Sequence, residues 1–324
     1  MMDKMAPHLS VVIPIYNEEA NIGQLWERLS RVLAENFDDR GWEVVMTDDG
    51  SIDGSLGMIV AIAEAEQRVK VVEFNRNYGQ HSAIFAAFAQ TSGQIVVTMD
   101  ADLQNPPEEI PRLVAKMEEG FDVVGGWRQG RRRNDSIFRT LPSKLVNAMT
   151  RRTTGVLLHD YGCMLRAYRR EIIDAMLRCK ERSSFIPALA NSFAKRIAEI
   201  PVSHAERAAG ESKYGLWRLI NLQFDLLTSF SLLPLQMLSV LGVVIASLGF
   251  LLFAGIMVYR FINPAGTVEG VFTLFAILFF FIGCQFVAFG LLGEYIGRIY
   301  VEVRDRPRYM VKKIHGSKDR AKEF

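Results

Sequence analysis

Cysteine is scarce in this chain: Cys163, Cys179 and Cys284 are three among 324 residues. An odd number with no metal-ligand spacing excludes a disulfide framework and a zinc cluster, and fits free thiols in a reducing compartment. Net charge is scarce too. Lys and Arg number 38 against 36 Asp and Glu, a formal charge of +2, so the basic excess of a nucleic-acid binder is missing and no nucleic-acid partner is expected. No basic-then-apolar leader opens the chain. Residues 1–8 are short and mixed, and the N-terminal part is expected to stay in the cytoplasm. There is no internal repeat. What the chain has in abundance is apolar residues, 49% of the total, distributed unevenly. The first two thirds read as a charged globular domain, and the last third is largely lipid-like.

The globular part alternates strand and helix patterns. Short apolar runs rich in β-branched residues predict strands over Leu9–Tyr16, Trp42–Met46, Val69–Phe74, Gly93–Met99 and Phe121–Gly125, with another over Cys163–Tyr168. Helical spacing fills Asn17–Asn36, Ile52–Glu66 and Gly79–Gln90, and Pro106-Pro107 opens a further helix. Such alternation implies βαβ units and a mostly parallel sheet. Ligands of these sheets gather beyond the C-terminal strand ends. The polar clusters fall there: Asn17-Glu18, Asp48-Asp49, Asn75-Arg76-Asn77 and Asp100-Ala101-Asp102.

After Trp127 the character changes. Residues 128–133 are strongly basic; Ile137, Leu141, Leu145 and Met149 then recur every four residues among Arg139, Lys144, Arg151 and Arg152. This reads as a basic amphipathic helix bent at Pro142, lying either in solvent or on an anionic membrane surface. Residues 215–230 form a second amphipathic candidate. No charge occurs in the 34 residues between Asp225 and Arg260, or in the 24 between Glu269 and Glu294. A bilayer core needs about 20 apolar residues per helix, so two transmembrane helices are expected. The arginines and lysines after Glu294 place the tail in the cytoplasm, on the side of the globular domain. Gly283, Gly290, Gly293 and Gly297 would let helices pack closely, and a homo-oligomer is expected.

Among residues that carry chemistry, Asp100 and Asp102 come first. Two carboxylates one residue apart at a strand end suit Mg²⁺ or Mn²⁺, with Gln104 as a further oxygen donor, although a plain acidic turn reads the same way. Asp48-Asp49-Gly50-Ser51 is either an ordinary turn or an acceptor for a nucleobase or ribose. Tyr16 could stack on a base. Arg76 enters a helix N-terminus, which favours anions. Asp160 follows His159 in a turn between apolar stretches. Glu206-Arg207-x-x-Gly210-Glu211-Ser212-Lys213 is a flexible surface loop or a lid over phosphate.

Together, Pro14-x-Tyr16-x-Glu18, Asp48-Asp49-Gly50-Ser51 and Asp100-Ala101-Asp102-Leu103-Gln104 resemble the family 2 glycosyltransferases of the GT-A fold. Asn75-Arg76-Asn77-x-Gly79, the late Gly-x-Ser-Lys and the two C-terminal spans are similar to the polyprenyl-phosphate glycosyltransferase group. The likeness runs from about Leu9 to Tyr309. It implies a Rossmann-like, mostly parallel α/β domain plus amphipathic interface helices and two C-terminal transmembrane helices. Residues 1–133 would bind the nucleotide sugar, 134–233 would form the acceptor side, 234–295 would span the membrane, and 296–324 would be a basic cytoplasmic tail. The implied partners are a UDP-sugar donor, undecaprenyl phosphate and the lipid bilayer of a bacterial inner membrane. The expected sugar is 4-deoxy-4-formamido-L-arabinose, for lipid A modification and polymyxin resistance, with another such as glucose as the alternative. Pro14, Tyr16, Glu18, Asp48 and Asp49 would hold uridine. Asp100, Ala101 and Arg76 would join the donor contacts. Asp102 and Gln104, with Asp100, would bind the metal. Arg207 and Lys213 would close on the diphosphate, and Arg128 and Arg139 would receive the lipid phosphate. Asp102 and Asp160 would be catalytic, Asp160 as base or acceptor-orienting group. The Gln-x-x-Arg-Trp motif of processive synthases is absent, which implies one sugar per lipid.

Overall fold

The structure is a computed structural model that describes residues 6–128, 163–179, 185–203, 233–262, 271–304 and 306–316. The chain divides into two compact units. One joins Met1–Tyr214 to Arg306–Phe324; the other is Gly215–Asp305.

In the first unit, β1 (Leu9–Ile15), β2 (Trp42–Asp48) and β3 (Val69–Phe74) are joined by α1 (Glu19–Phe37) and α2 (Ser55–Ala65). α3 (Gln80–Phe88) leads to β4 (Ile95–Thr98). A 3₁₀ turn at Pro107–Glu109 runs into α4 (Ile110–Glu118) and then β5 (Val123–Arg128). β6 (Arg166–Arg169), α5 (Arg170–Arg178), α6 (Ile186–Phe193), β7 (Ile197–Val202) and β8 (Val311–His315) complete the described elements of this unit.

The strands form one sheet in the order β7-β5-β6-β4-β1-β2-β3-β8. Pairings β4-β1, β1-β2, β2-β3 and β5-β7 are parallel; β4-β6, β5-β6 and β3-β8 are antiparallel. The mostly parallel expectation holds, with an antiparallel strand set into one half.

Both faces of the central strands are covered, which explains their unbroken apolar runs. Because successive side chains point to opposite faces, Leu9, Val11, Ile13 and Ile15 join Val44, Met46, Val69 and Val71 in one core. Ile22, Leu25, Leu29 and Leu33 of α1 pack into it, spaced at three and four residues along one helical stripe. Val12, Val45 and Val72 face the second core, where Ala83–Phe88 of α3 are buried throughout.

Chain order fixes the ligand crevice. β1, β2 and β3 are laid down in one direction, and β4 then returns to the opposite flank of β1. The strand order reverses between β1 and β4, and beyond their C-terminal ends lies the crevice of such a sheet.

The structure departs from the sequence reading at both sheet edges. β5 continues past Gly125 to Arg128 because β7, which the sequence did not reveal, pairs alongside it from Val123↔Ile197 to Arg128↔Val202. Val311–His315, read as part of a basic tail, is a strand on β3. Tyr309 stacks on Phe74 at 5.1 Å between ring centroids. Lys312 and His315 both reach the buried Glu73, at 2.6 and 3.0 Å.

The second unit contains α7 (Leu233–Ile262, 30 residues) and α8 (Val271–Val303, 33 residues). Among the described residues no helix is long and apolar enough to cross a membrane, so the two expected spans rest on the sequence. The amphipathic helices expected near residues 137–149 and 215–230 lie outside the described residues.

Candidate active site

The loops after β1 and β2 are knitted together. Asn17 sits at φ +56, a left-handed conformation that asparagine tolerates better than most residues. Its backbone N–H donates to Ser51 Oγ at 3.1 Å, and its side-chain oxygen accepts from the Ile52 N–H at 2.9 Å. The Glu18 N–H donates to Ser55 Oγ at 2.9 Å, and the Gly54 N–H donates to Glu19 Oε2 at 2.9 Å. Asp53 accepts from the N–H groups of Ser55 and Glu19, which explains why α2 starts at Ser55 and not at Ile52. These bonds fix Pro14, Tyr16 and Glu18 beside the Asp48-Asp49 turn. Tyr16 remains 46% exposed.

The two aspartates of that turn have different environments. Asp49 accepts the backbone N–H groups of Tyr78 and Gly79 at 2.7 and 2.9 Å. It is thus a clamp from β2 to the loop that carries Arg76. Burial pushes its carboxyl above the ordinary value, the two amide bonds oppose that rise, and the Asp48 charge adds to it. Asp48 Oδ2 accepts the Ser51 N–H at 3.2 Å. Its Oδ1 is buried with no hydrogen-bond partner among the described residues, the state of an acceptor awaiting a donor. Gly50, at φ +72, lets the β3 loop come close: a Cβ there would stand 2.5 Å from the Arg76 carbonyl carbon. Arg76 itself lies over the Tyr78 ring, 4.8 Å from its centroid.

Asp100 and Asp102 follow β4 across the crevice. Gln80, the first residue of α3, donates Nε2–H to Asp100 Oδ1 at 2.6 Å. The Gln104 N–H donates to Asp102 Oδ1 at 3.2 Å, closing a turn in which Leu103 takes φ +58. Ala101 is buried between the two carboxylates. The Asp100 carboxyl is pushed up to about 6. Burial is the main cause and the Asp102 charge the next; the Gln80 bond and the Arg128 charge oppose the rise, and Glu18 adds to it. Residues from the ends of β1, β4 and β5 therefore share one electrostatic site.

Among the described residues no group of three or more His, Cys, Asp or Glu side chains is set to hold a metal. The Asp100–Asp102 pair nonetheless suits a cation that keeps substrate phosphates in its shell, which needs only one or two carboxylates. Two like charges forced together in a half-dry loop gain from a divalent ion. Arg139, Asp160, Arg207 and Lys213 lie outside the described residues. Of the remaining site residues, Pro14, Tyr16, Glu18, Asp48, Asp49, Arg76, Asp100, Ala101, Asp102, Gln104 and Arg128 all fall on the strand-end side anticipated from the sequence. Gln80 was not anticipated. Its signal is modest: a polar residue on the first helical turn after Asn75-Arg76-Asn77-x-Gly79.

The sequence model of glycosyl transferase family 2 matches residues 10–177, just over half the chain. The chain belongs to glycosyl transferase family 2. Family members similar to it include the undecaprenyl-phosphate 4-deoxy-4-formamido-L-arabinose transferase of Proteus mirabilis (strain HI4320), 58% identical over 312 residues, covering 96% of this chain and 94% of that one. The protein of the same name from Klebsiella pneumoniae is 56% identical over 308 residues, covering 94% and 93%. The fold is the GT-A fold of glycosyltransferases. Among solved structures, mannosyl-3-phosphoglycerate synthase from Rubrobacter xylanophilus shares it, with a TM-score of 0.50 at 15% identity over 69% of this chain and 72% of that one.

Proposed function

We propose that this family 2 glycosyltransferase moves 4-deoxy-4-formamido-L-arabinose from its UDP-sugar to undecaprenyl phosphate, with inversion, for lipid A modification and polymyxin resistance. The observation that carries this reading is the 56–58% identity, over nearly the whole length of both partners, to transferases named for that sugar and that lipid.

In this reading the Asp48 oxygen that lacks a partner accepts a donor from uracil or ribose, and Tyr16 offers its exposed ring to the base. Pro14 and Glu18 complete the uridine side with Asp49, whose clamp on Tyr78 and Gly79 sets the Arg76 loop. Asp100, Asp102 and Gln104 would hold Mg²⁺ or Mn²⁺, whose chemistry when bound is to neutralise the diphosphate as it leaves. Arg207 and Lys213 close on the same diphosphate, while Arg128 and Arg139 receive the lipid phosphate. The phosphate oxygen attacks the anomeric carbon in line with the departing UDP. A phosphate is already ionised near pH 7, so Asp160 orients the acceptor more than it removes a proton. The larger barrier is repulsion between two anions, which the cationic side chains offset.

In this reading the protein works at a bacterial inner membrane, with the catalytic unit and C-terminal tail on the cytoplasmic side. The uncharged stretches of 34 and 24 residues support two spans. Val240, Leu248, Phe261, Phe286 and Ile299 are apolar side chains standing open on α7 and α8.

The test is transfer to undecaprenyl phosphate by the purified full-length protein, offered UDP-linked formamido-arabinose, aminoarabinose and glucose in turn. Turnover with the formamido sugar, lost on chelation and restored by Mn²⁺ or Mg²⁺, is expected. Preference for glucose would overturn the sugar assignment, and full activity in chelator would overturn the metal role.

A further inference from the structure

The first residue of α3 makes a bond that its own helix does not need. A helix N-terminus has spare N–H groups and calls for acceptors, and the N-cap position of α3 is Gly79, which has no side chain to supply one. Gln80 nonetheless turns an amide N–H outward. It donates to Asp100 Oδ1 at 2.6 Å, 20 positions on and at the end of a different strand. An exposed glutamine gains little by exchanging water for a neutral partner. A bond to a carboxylate is shorter and stronger, and this distance is of that kind.

The backbone beneath Gln80 is fixed. Asp49 accepts the Tyr78 and Gly79 N–H groups on one side. Gly79, at φ +92, turns the chain into the helix, and its carbonyl accepts the Ser82 and Ala83 N–H groups at 2.9 and 3.2 Å. On the other side Ala83–Phe88 are buried in the second core. Topology does the rest. β3 and β4 run the same way and α3 returns between them, so the start of α3 meets the end of β4 on one side of the sheet. The two carboxylates are thus held from different places. Asp102 accepts the Gln104 N–H within its own turn, whereas Asp100 is reached from α3.

We propose that Gln80 is a positioning residue, which holds the Asp100 carboxylate in the orientation in which it and Asp102 take up the divalent cation. This rests on the metal role given to Asp100 above. A carboxylate that turns freely must be ordered when the ion arrives, and one already bonded loses less freedom. Outer bonds to ligand side chains are worth about 10- to 100-fold in metal affinity or activity.

The experiment uses the full-length protein and Mn²⁺ alone, with free Mn²⁺ read by electron paramagnetic resonance. Gln80→Met keeps an unbranched side chain of similar length and a good helix former, and removes the amide. It should weaken Mn²⁺ binding about 10- to 100-fold. Turnover at limiting Mn²⁺ should fall by a similar factor and return to within about threefold of wild type at saturating Mn²⁺, because a group acting through metal affinity leaves the later steps alone. Added to Asp100→Asn, Gln80→Met should cost no more than about twofold further, since it has nothing left to position. Gln80→Asn, whose amide sits one methylene closer to the backbone, is the milder variant should Gln80→Met fold poorly, and the same direction is expected. Wild-type Mn²⁺ affinity in the Gln80 variants, beside an Asp100→Asn protein that has lost it, would overturn the positioning role and leave the metal reading standing. So would a loss that persists at saturating Mn²⁺ or multiplies with Asp100→Asn, which would put Gln80 on the substrate itself. Wild-type Mn²⁺ affinity in Asp100→Asn would instead overturn the metal role of Asp100, and the purpose of Gln80 with it.

Discussion

Replacing Asp100 by Asn removes one negative charge and keeps a side-chain oxygen for the 2.6 Å bond from Gln80. The wild-type carboxyl is held at about 6 in the fold, against 3.8 in the free chain. That gap of roughly two units, at roughly 1.4 kcal/mol each, makes the ionised carboxylate cost the ligand-free protein about 3 kcal/mol. Water reaching the partly open side chain makes this a ceiling. The sign follows from proton binding. The fold keeps its proton to higher pH than the unfolded chain does, so stability is lost as pH rises through the window from about 4 to about 6. The penalty is absent below that window and complete above it. Asp100→Asn should therefore be more stable than wild type by up to about 3 kcal/mol at pH 8, and nearly equal to it at pH 4. Unfolding of both proteins in chelator at the two pH values measures the gap. Adding Mn²⁺ at pH 8 should stabilise the wild type by mass action and leave the variant unmoved, while turnover of the variant falls at least about 100-fold. A gap that does not change with pH, or a variant less stable at pH 8, would refute the claim that Asp100 is held ionised against burial and a like charge.

Gly50→Ala should destabilise by roughly 2–4 kcal/mol, combining left-handed strain with a forced shift of the β3 loop. Its Cβ would stand 2.5 Å from the Arg76 carbonyl carbon and 2.7 Å from the Asn77 nitrogen. A urea midpoint matching wild type would contradict this. At Glu73 burial favours the neutral acid, but the bonds and charges of Lys312 and His315 outweigh it and hold the carboxyl below 4.5. That stability is present above pH 4.5 and is lost as pH falls through the lowered folded value. Amide exchange over Val311–His315 should accelerate in that acidic range in wild type and show no such transition in Glu73→Gln.

The central strands were legible because each is buried on both faces, and a run such as Leu9–Ile15 leaves few alternatives. β7 and β8 were not, for opposite reasons. Ile197–Val202 is a half-exposed edge interrupted by Pro201. Val311–His315 carries two lysines and reads as tail, since nothing local marks Glu73 as its partner. At the site, the polar clusters lie at the strand ends where the sequence reading put them, but their contacts with one another were not legible. Asp49 reads as a ligand group, and its oxygens also hold the Tyr78 and Gly79 amides. Gln80 and Glu109 bond to partners 20 and 94 positions away, a separation that no motif spacing encodes.

The β3–β8 pairing has a consequence for synthesis. Glu73 and Lys312 are 239 positions apart, so at about 5–20 residues per second the ribosome needs roughly 12–48 s to deliver the second after the first. Through that interval β3 is an open edge with an unsatisfied row of amides and an uncovered Phe74, a template for pairing with the wrong chain. Both long helices emerge within the same interval. Completion of the sheet thus follows them, and a nascent chain stalled before residue 311 would hold every proposed donor-site residue without the strand that closes its edge.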